Sequence, residues 1–258
     1  MTCLRPRPPA ADVASHPMSS VRLTAVAAAT LAAACALAAP PRAGAATCGE
    51  GTYAYAGMGS RAIASGVAAT IAPVAAPSVR DGHVDGWVGV GGPGLGPHGT
   101  DEWIQVGLTS VPSAPASRIY YEIQRPGQKV QFRELRSVGV GEPHRFAVRE
   151  VDGRASWWRV WLDGSPATAA VYLPGSHAKW RADAVGESWA GRTSGTCNAY
   201  AYAFHDVAVA GPGASAWSPF LASQHFQDRN YQLVRRSSSS FLARSVITPA
   251  RAAATTHP

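Results

Sequence analysis

The chain has 258 residues, of which 46% are hydrophobic and 15% charged, and its formal net charge is +7 at pH 7. This composition is that of a globular protein and excludes an intrinsically disordered chain. The basic residues form no stripe with interleaved aromatic residues, which argues against nucleic acid as a partner.

The first 45 residues predict an export signal. Arg22 provides a positive charge, residues 23–39 form an uncharged, alanine-rich apolar run, and Ala43-Gly44-Ala45 has the small residues of a cleavage site. The apolar run is short and only weakly hydrophobic, so we expect it to be removed rather than to stay as a membrane span. Cleavage removes four arginines and one aspartate, which lowers the net charge from +7 to +4.

Two features of the leader stay open in the sequence, namely translation from Met18 and a lipid anchor at Cys35. After cleavage we expect a secreted protein without membrane contact, a monomer with one β-sandwich domain over residues 46–248. Residues 249–258 are rich in alanine, threonine and proline and predict a disordered tail.

Cys48 and Cys197 are the two cysteines that remain in the mature chain. Two cysteines in an exported protein most simply pair with each other. Such a disulfide would close a loop of about 150 residues, for which the chain-entropy model gives at most about 4–5 kcal/mol.

Short apolar runs separated by glycine, proline and Asp-Gly pairs predict an all-β fold, a two-sheet antiparallel β-sandwich. Asp152-Gly153 and Asp163-Gly164 predict two tight hairpin turns in one meander. Residues 211–230 predict a long loop. The predicted strands are 52–57, 65–73, 83–91, 102–109, 118–124, 130–136, 144–150, 156–162, 168–173, 180–189, 199–209, 231–235 and one near 241–247.

Three predicted strands carry a polar residue two positions from an aromatic one, so that both side chains point to the same face. The pairs are Trp103 with Gln105, Tyr120 with Glu122, and Glu187 with Trp189. Burial among aromatic rings raises the pKa of a glutamate, which suits a general acid or base. A fixed glutamine amide can donate to a developing oxyanion, so together such groups could hydrolyse an amide with an activated water.

Cofactor and metal motifs are weak in this sequence. The glycines at 94, 96 and 99 match a dinucleotide-binding spacing, but Pro97 interrupts it and no helix is predicted to follow. The histidines show no paired ligand spacing, so the sequence gives no support for a metal site. We therefore predict neither cofactor nor metal.

The order of these motifs resembles the eqolisin family of glutamic endopeptidases. The resemblance spans about residues 52–247. Its segments in this chain are Tyr55-Ala56-Gly57, Trp87-Val88-Gly89-Val90-Gly91-Gly92, Ile104-Gln105-Val106-Gly107, Tyr120-Tyr121-Glu122, Ala184-Val185-Gly186-Glu187-Ser188-Trp189 and Phe204 to Val209.

The resemblance implies a concanavalin-A-like jelly roll and hydrolysis of polypeptides at acid pH by a Gln/Glu dyad. It implies that Glu187 activates water and then protonates the leaving amine, while Gln105 holds the oxyanion. The substrate groove expected from it is lined by Tyr55, Trp87, Trp103, Tyr120, Glu122 and Trp189. Ser188 separates Glu187 from Trp189, whereas the family has these two residue types adjacent.

A second interpretation keeps the same architecture without catalysis. Aromatic residues along the groove, such as Trp87, Trp103, Tyr120 and Trp189, would stack on sugar rings or on a peptide. A polysaccharide is then as good a partner as a polypeptide. The two interpretations differ in geometry, because the dyad requires Gln105 and Glu187 to face each other about one water apart.

Overall fold

The computed structural model describes residues 51–114, 116–192, 197–213 and 216–246. The predicted signal segment, Cys48 and the predicted tail lie outside these ranges, so the signal, the lipid anchor, the tail and the disulfide stay predictions. Within the described ranges no helix is both long and apolar enough to cross a membrane.

The described residues form sixteen β-strands and one 3-10 turn, Pro97–Gly99. The strands are β1 Tyr53–Ile63, β2 Gly66–Pro73, β3 His83–Gly92, β4 Glu102–Ser110, β5 Ser117–Gln124, β6 Gln131–Val138, β7 His144–Glu150, β8 Trp157–Leu162, β9 Ser165–Pro166, β10 Val171–Tyr172, β11 Arg181–Trp189, β12 Ala201–Ala210, β13 Ser218–Pro219, β14 Gln224–Gln227, β15 Tyr231–Arg235 and β16 Phe241–Ser245.

The strands form two antiparallel sheets that pack face to face, which confirms the predicted all-β sandwich. The first sheet has seven strands in the order β14-β1-β11-β3-β4-β5-β6. The second has nine, with β10-β8-β7-β2-β12-β16-β15 in sequence, β9 on β8 and β13 on β12. The central strands of the first sheet come from distant parts of the chain, so the sheet brings residues near 55, 85, 105, 120 and 185 together.

The core lies between the sheets and is built by alternation along the strands. In β4, Ile104, Val106 and Leu108 are fully buried in it, whereas Trp103 and Gln105 point to the opposite face. Burying each such aliphatic side chain contributes about 1.5–3 kcal/mol. The polar residues of the first sheet are therefore placed on its outer face by the same alternation that fills the core.

Two segments differ from the predicted strands. The predicted loop 211–230 contains β13 and β14, and β14 pairs with β1 at the edge of the first sheet. The predicted strand 168–173 is reduced to β10, a two-residue pairing with β8. The short strands β13 and β14 were missed because their mostly polar residues lack the apolar alternation that reveals longer strands.

Candidate active site

The outer face of the first sheet carries all eight residues that the sequence assigns to the dyad and its groove. They share this face because each strand places alternate side chains on it, and the strand registers align them in cross-strand rows. The eight are Tyr55, Trp87, Trp103, Gln105, Tyr120, Glu122, Glu187 and Trp189.

The first of these rows, which we call the Gly89 row, runs across four strands. Asp183 lies opposite Gly89, Gly89 opposite Gln105, and Gln105 opposite Glu122. Adjacent strands are about 4.8 Å apart, so the Cα atoms of Asp183 and Gln105 are about 10 Å apart with Gly89 between them. Because Gly89 has no side chain, no side chain of β3 stands between Asp183 and Gln105 in this row.

A second row, which we call the Asp85 row, lies four residues further along β3. Here Tyr55 lies opposite Glu187, Glu187 opposite Asp85, and Asp85 opposite Thr109. A strand rises about 3.3 Å per residue, so Glu187 is displaced from Gln105 by about 13 Å along the strands. The registers thus place the backbones of Glu187 and Gln105 in different rows, and the expected Gln105–Glu187 dyad stays a prediction.

His83, Asp85 and Glu187 form a buried polar cluster at this second row. Nε2 of His83 lies 3.4 Å from Oε1 of Glu187 and 3.6 Å from Oδ2 of Asp85. Asp85 and Glu187 are only 4% and 6% exposed, whereas the side chain of His83 is 26% exposed. The two carboxyl groups are covered because an aromatic layer lies over this part of the sheet.

This aromatic layer is built by β1, β11 and β14. The rings of Tyr53 and Trp189 stack at 6.3 Å, and that of His83 lies 5.5 Å from Trp189. Tyr55 packs against Phe226 at 6.5 Å. These rings exclude water from the carboxyl groups beneath them, which is the condition under which carboxyl pKa values rise.

The pKa values of the cluster follow from burial and mutual charge. Burial alone would lower the pKa of His83, but the carboxyl groups of Asp85 and Glu187 outweigh it and raise that pKa to about 9. Burial raises the pKa of Asp85, against the opposing effect of His83. His83 therefore carries a proton at neutral pH when nothing else is bound.

A chain of hydrogen bonds joins the two rows. Nε2 of Gln105 donates to the hydroxyl of Tyr120 at 3.0 Å, and that hydroxyl donates to Oδ2 of Asp85 at 3.4 Å. The amide nitrogen of Gln105 has two N–H groups, so one remains for a ligand. Tyr120 is fully buried and stacks with Phe132 at 5.2 Å, so its hydroxyl holds Gln105 in a fixed position. The predicted place of Tyr120 in a substrate groove stays a prediction.

The two tryptophans at the site hold carboxyl groups. Nε1 of Trp87 donates to Oε2 of Glu187 at 2.9 Å, and Nε1 of Trp103 donates to Oε1 of Glu122 at 2.7 Å. Burial raises the pKa of Glu122, and the bond from Trp103 opposes this rise. Both indoles are thus fixed in orientation while their rings stay partly exposed.

Asp183 is a candidate that the sequence argument missed, together with His83 and Asp85. Its Oδ1 lies 2.5 Å from where a Cβ of residue 59 would be, beside the ring of Phe226. Burial raises the pKa of Asp183 to about 7, and no charged group among the described residues opposes it. The sequence signal for these residues was even spacing along a strand, which puts side chains on the same face. His83 and Asp85 are evenly spaced from Trp87 in β3, and Asp183 is evenly spaced from Glu187 in β11.

Comparisons with known proteins show the fold. No family model matches the chain, and no curated protein matches it. Among solved structures, scytalido-glutamic peptidase with a peptide-based transition-state analog is 14% identical, covers 75% of this chain and 98% of that one, and has a TM-score of 0.52. A second structure of that peptidase, with a transition-state analog inhibitor, is 14% identical, covers 76% and 100%, and has a TM-score of 0.50. SCP-B, a member of the eqolisin family, is 15% identical, covers 75% and 98%, and has a TM-score of 0.45.

Proposed function

We propose that the chain is a secreted peptide hydrolase whose working pair is Gln105 and Asp183, set on either side of Gly89. The observation that carries this proposal is the register, which places Asp183 and Gln105 in one cross-strand row with Gly89 between them. The fold shared with a peptidase bound to transition-state analogs supports a peptide as the substrate.

The chemistry assigns one task to each side chain. The ionised carboxyl group of Asp183 accepts a proton from a water molecule, whose oxygen attacks the scissile carbonyl carbon. The free N–H of Gln105 donates to the oxyanion that forms, while Tyr120 keeps the amide in place. When the C–N bond breaks, Asp183 returns its proton to the leaving amine. Glu187 takes no part in this scheme, because its carboxyl group lies in the other row.

The pH dependence of the proposed reaction follows from the pKa of Asp183. Water activation requires the ionised carboxyl group, and burial raises its pKa to about 7. We therefore expect kcat/KM to fall about tenfold for each pH unit below about 7. This places the working range at neutral pH and above, higher than the acid range that the resemblance implies. A rate that is highest at pH 3, measured with a fluorogenic peptide, would contradict the assignment of Asp183 as base.

Casein digestion by the mature protein and four variants tests the proposal. We expect Gln105→Ala to lower kcat by about 10²–10³-fold through loss of the oxyanion donor. Asp183→Asn should lower it by about 10²–10⁴-fold through loss of the base. Glu187→Gln should retain most activity, and Asp152→Asn, on an exposed hairpin, should retain all of it. Loss in Glu187→Gln with retention in Asp183→Asn would restore the dyad that the sequence predicted.

The aromatic layer favours a second candidate, a non-catalytic module that binds a polysaccharide or a peptide. Tyr53 is 44% exposed and stacks with Tyr55 at 6.2 Å, which offers a flat apolar surface to a sugar ring. Absence of digestion between pH 3 and pH 8, together with retardation in polysaccharide affinity gels that Tyr53→Ala abolishes, would support this candidate over the hydrolase.

A further inference from the structure

We propose that His83, Asp85 and Glu187 form a binding site for one Zn²⁺ ion. Each residue offers one ligand atom, and the three atoms lie within 4.8 Å of one another. Imidazole nitrogen and carboxylate oxygen are both ligands that Zn²⁺ accepts. Three protein ligands with a fourth position left for water or substrate make the usual ligand set of an open zinc site.

The distances within the cluster fit a shared metal ion better than hydrogen bonds. A charge-assisted bond between imidazolium and carboxylate is about 2.7–2.9 Å long. Nε2 of His83 is instead 3.4 Å from Glu187 Oε1 and 3.6 Å from Asp85 Oδ2. Ligands about 2.0–2.2 Å from a tetrahedral Zn²⁺ are about 3.3–3.6 Å from each other, so both measured distances match two ligands of one ion.

The carboxyl groups are also short of partners for their charge. Asp85 and Glu187 lie directly opposite each other in adjacent strands and are almost fully buried. Among the described residues, His83 is the one cationic side chain that pairs with either of them, and Oδ1 of Asp85 has no hydrogen-bond partner. Two carboxylates that are buried on adjacent strands repel each other, and a divalent cation bound between them removes that repulsion.

Outer contacts already orient the ligand atoms. Nε1 of Trp87 holds Oε2 of Glu187 at 2.9 Å, which leaves Oε1 facing His83. The hydroxyl of Tyr120 lies 3.4 Å from Oδ2 of Asp85. Hydrogen bonds of this kind fix ligand geometry in metal sites.

His83 is partly exposed, so an ion can enter from solvent. Ca²⁺ requires six to eight oxygen ligands, so the nitrogen and the low ligand number favour Zn²⁺.

Calorimetric titration of the mature, tag-free protein with ZnCl₂, after removal of metals with EDTA, tests the site. We expect one equivalent to bind and His83→Ala to weaken binding by at least about 100-fold, more than outer-contact variants usually lose. His177→Ala, which removes a surface histidine paired with Glu150, should bind as the unaltered protein does. Asp183→Asn should also bind Zn²⁺, because Asp183 lies in the Gly89 row, so the outcome for the zinc site is independent of the outcome for the hydrolase.

Two further readouts keep the result decisive. Co²⁺ added in place of Zn²⁺ should give the intense visible bands of a four-coordinate ion, and Glu187→Gln should weaken them. Zn²⁺ should raise the Tm of the unaltered protein but not that of His83→Ala, whose fold circular dichroism verifies. Absence of binding up to 1 mM Zn²⁺ (about 4 kcal/mol of affinity), or equal binding by His83→Ala, would overturn the proposal, as would binding of Ca²⁺ but not Zn²⁺.

Discussion

At the residue scale, the proposed hydrolase and the proposed zinc site both depend on carboxyl groups that the fold removes from water. Asp183 sits beside Phe226 with burial as the cause of its raised pKa, whereas Asp85 and Glu187 share His83. In the proposed reaction the carboxyl group of the Gly89 row transfers a proton, whereas the two carboxyl groups of the Asp85 row face His83.

The stability of Asp183→Asn should depend on pH. The pKa of Asp183 is 3.8 in the unfolded chain and about 7 in the folded one. Ionisation of this carboxyl group therefore lowers the free energy of unfolding progressively as the pH rises from 3.8 to about 7, and by a constant amount above that. The variant should therefore be more stable than the unaltered protein at pH 8, by up to about 4 kcal/mol, and differ by less than about 1 kcal/mol at pH 4. Urea unfolding at both pH values measures this. Asp152→Asn serves as the control, and an equal difference at both pH values would contradict the assignment.

At the scale of the elements, the sequence predicts strands and faces well and registers poorly. The turns at Asp152-Gly153 and Asp163-Gly164 lie between β7, β8 and β9, as the Asp-Gly pairs indicate. Alternation around Gln105 and Glu187 places both on the outer face. A shift of four residues leaves the face unchanged but moves a Cα atom by about 13 Å, so alternation alone could not show which acidic residue shares the cross-strand row of Gln105. β14 escaped prediction because it is short and polar, and with it the burial of Asp183 by Phe226.

Substitution of Gly89 tests whether the site requires a residue without a side chain at this position of β3. A Cβ at this residue would lie 2.8 Å from the Cβ of Gln105 and 2.9 Å from the carbonyl oxygen of Ile104, so Gly89→Ala should push Gln105 out of place. We expect a loss of kcat of at least about tenfold and a destabilisation of about 1–3 kcal/mol. Gly211→Ala is the matched control, since a Cβ there meets nothing within 4 Å. Full activity of Gly89→Ala would show that the reaction does not depend on the placement of Gln105 against Gly89.

At the scale of the whole molecule, the sandwich explains how residues from distant parts of the chain meet on one outer face. The core side chains Ile104, Val106 and Leu108 are typical of any β-sandwich, and they could be predicted from periodicity. The pairing of β11 with β3, which joins residues near 185 to residues near 87, depends on the complete sheet order. The proposed function therefore depends on one row of side chains, which only the assembled sheet defines.

We propose that Gln105 works with Asp183 and not with Glu187, and a double-mutant cycle on kcat/KM measures this directly. Residues that act as a unit are strongly non-additive. We predict that Gln105→Ala combined with Asp183→Asn loses no more activity than the more damaged single variant. Gln105→Ala combined with Glu187→Gln should lose the product of the two single effects. The reverse pattern, with coupling to Glu187 and independence from Asp183, would contradict the account.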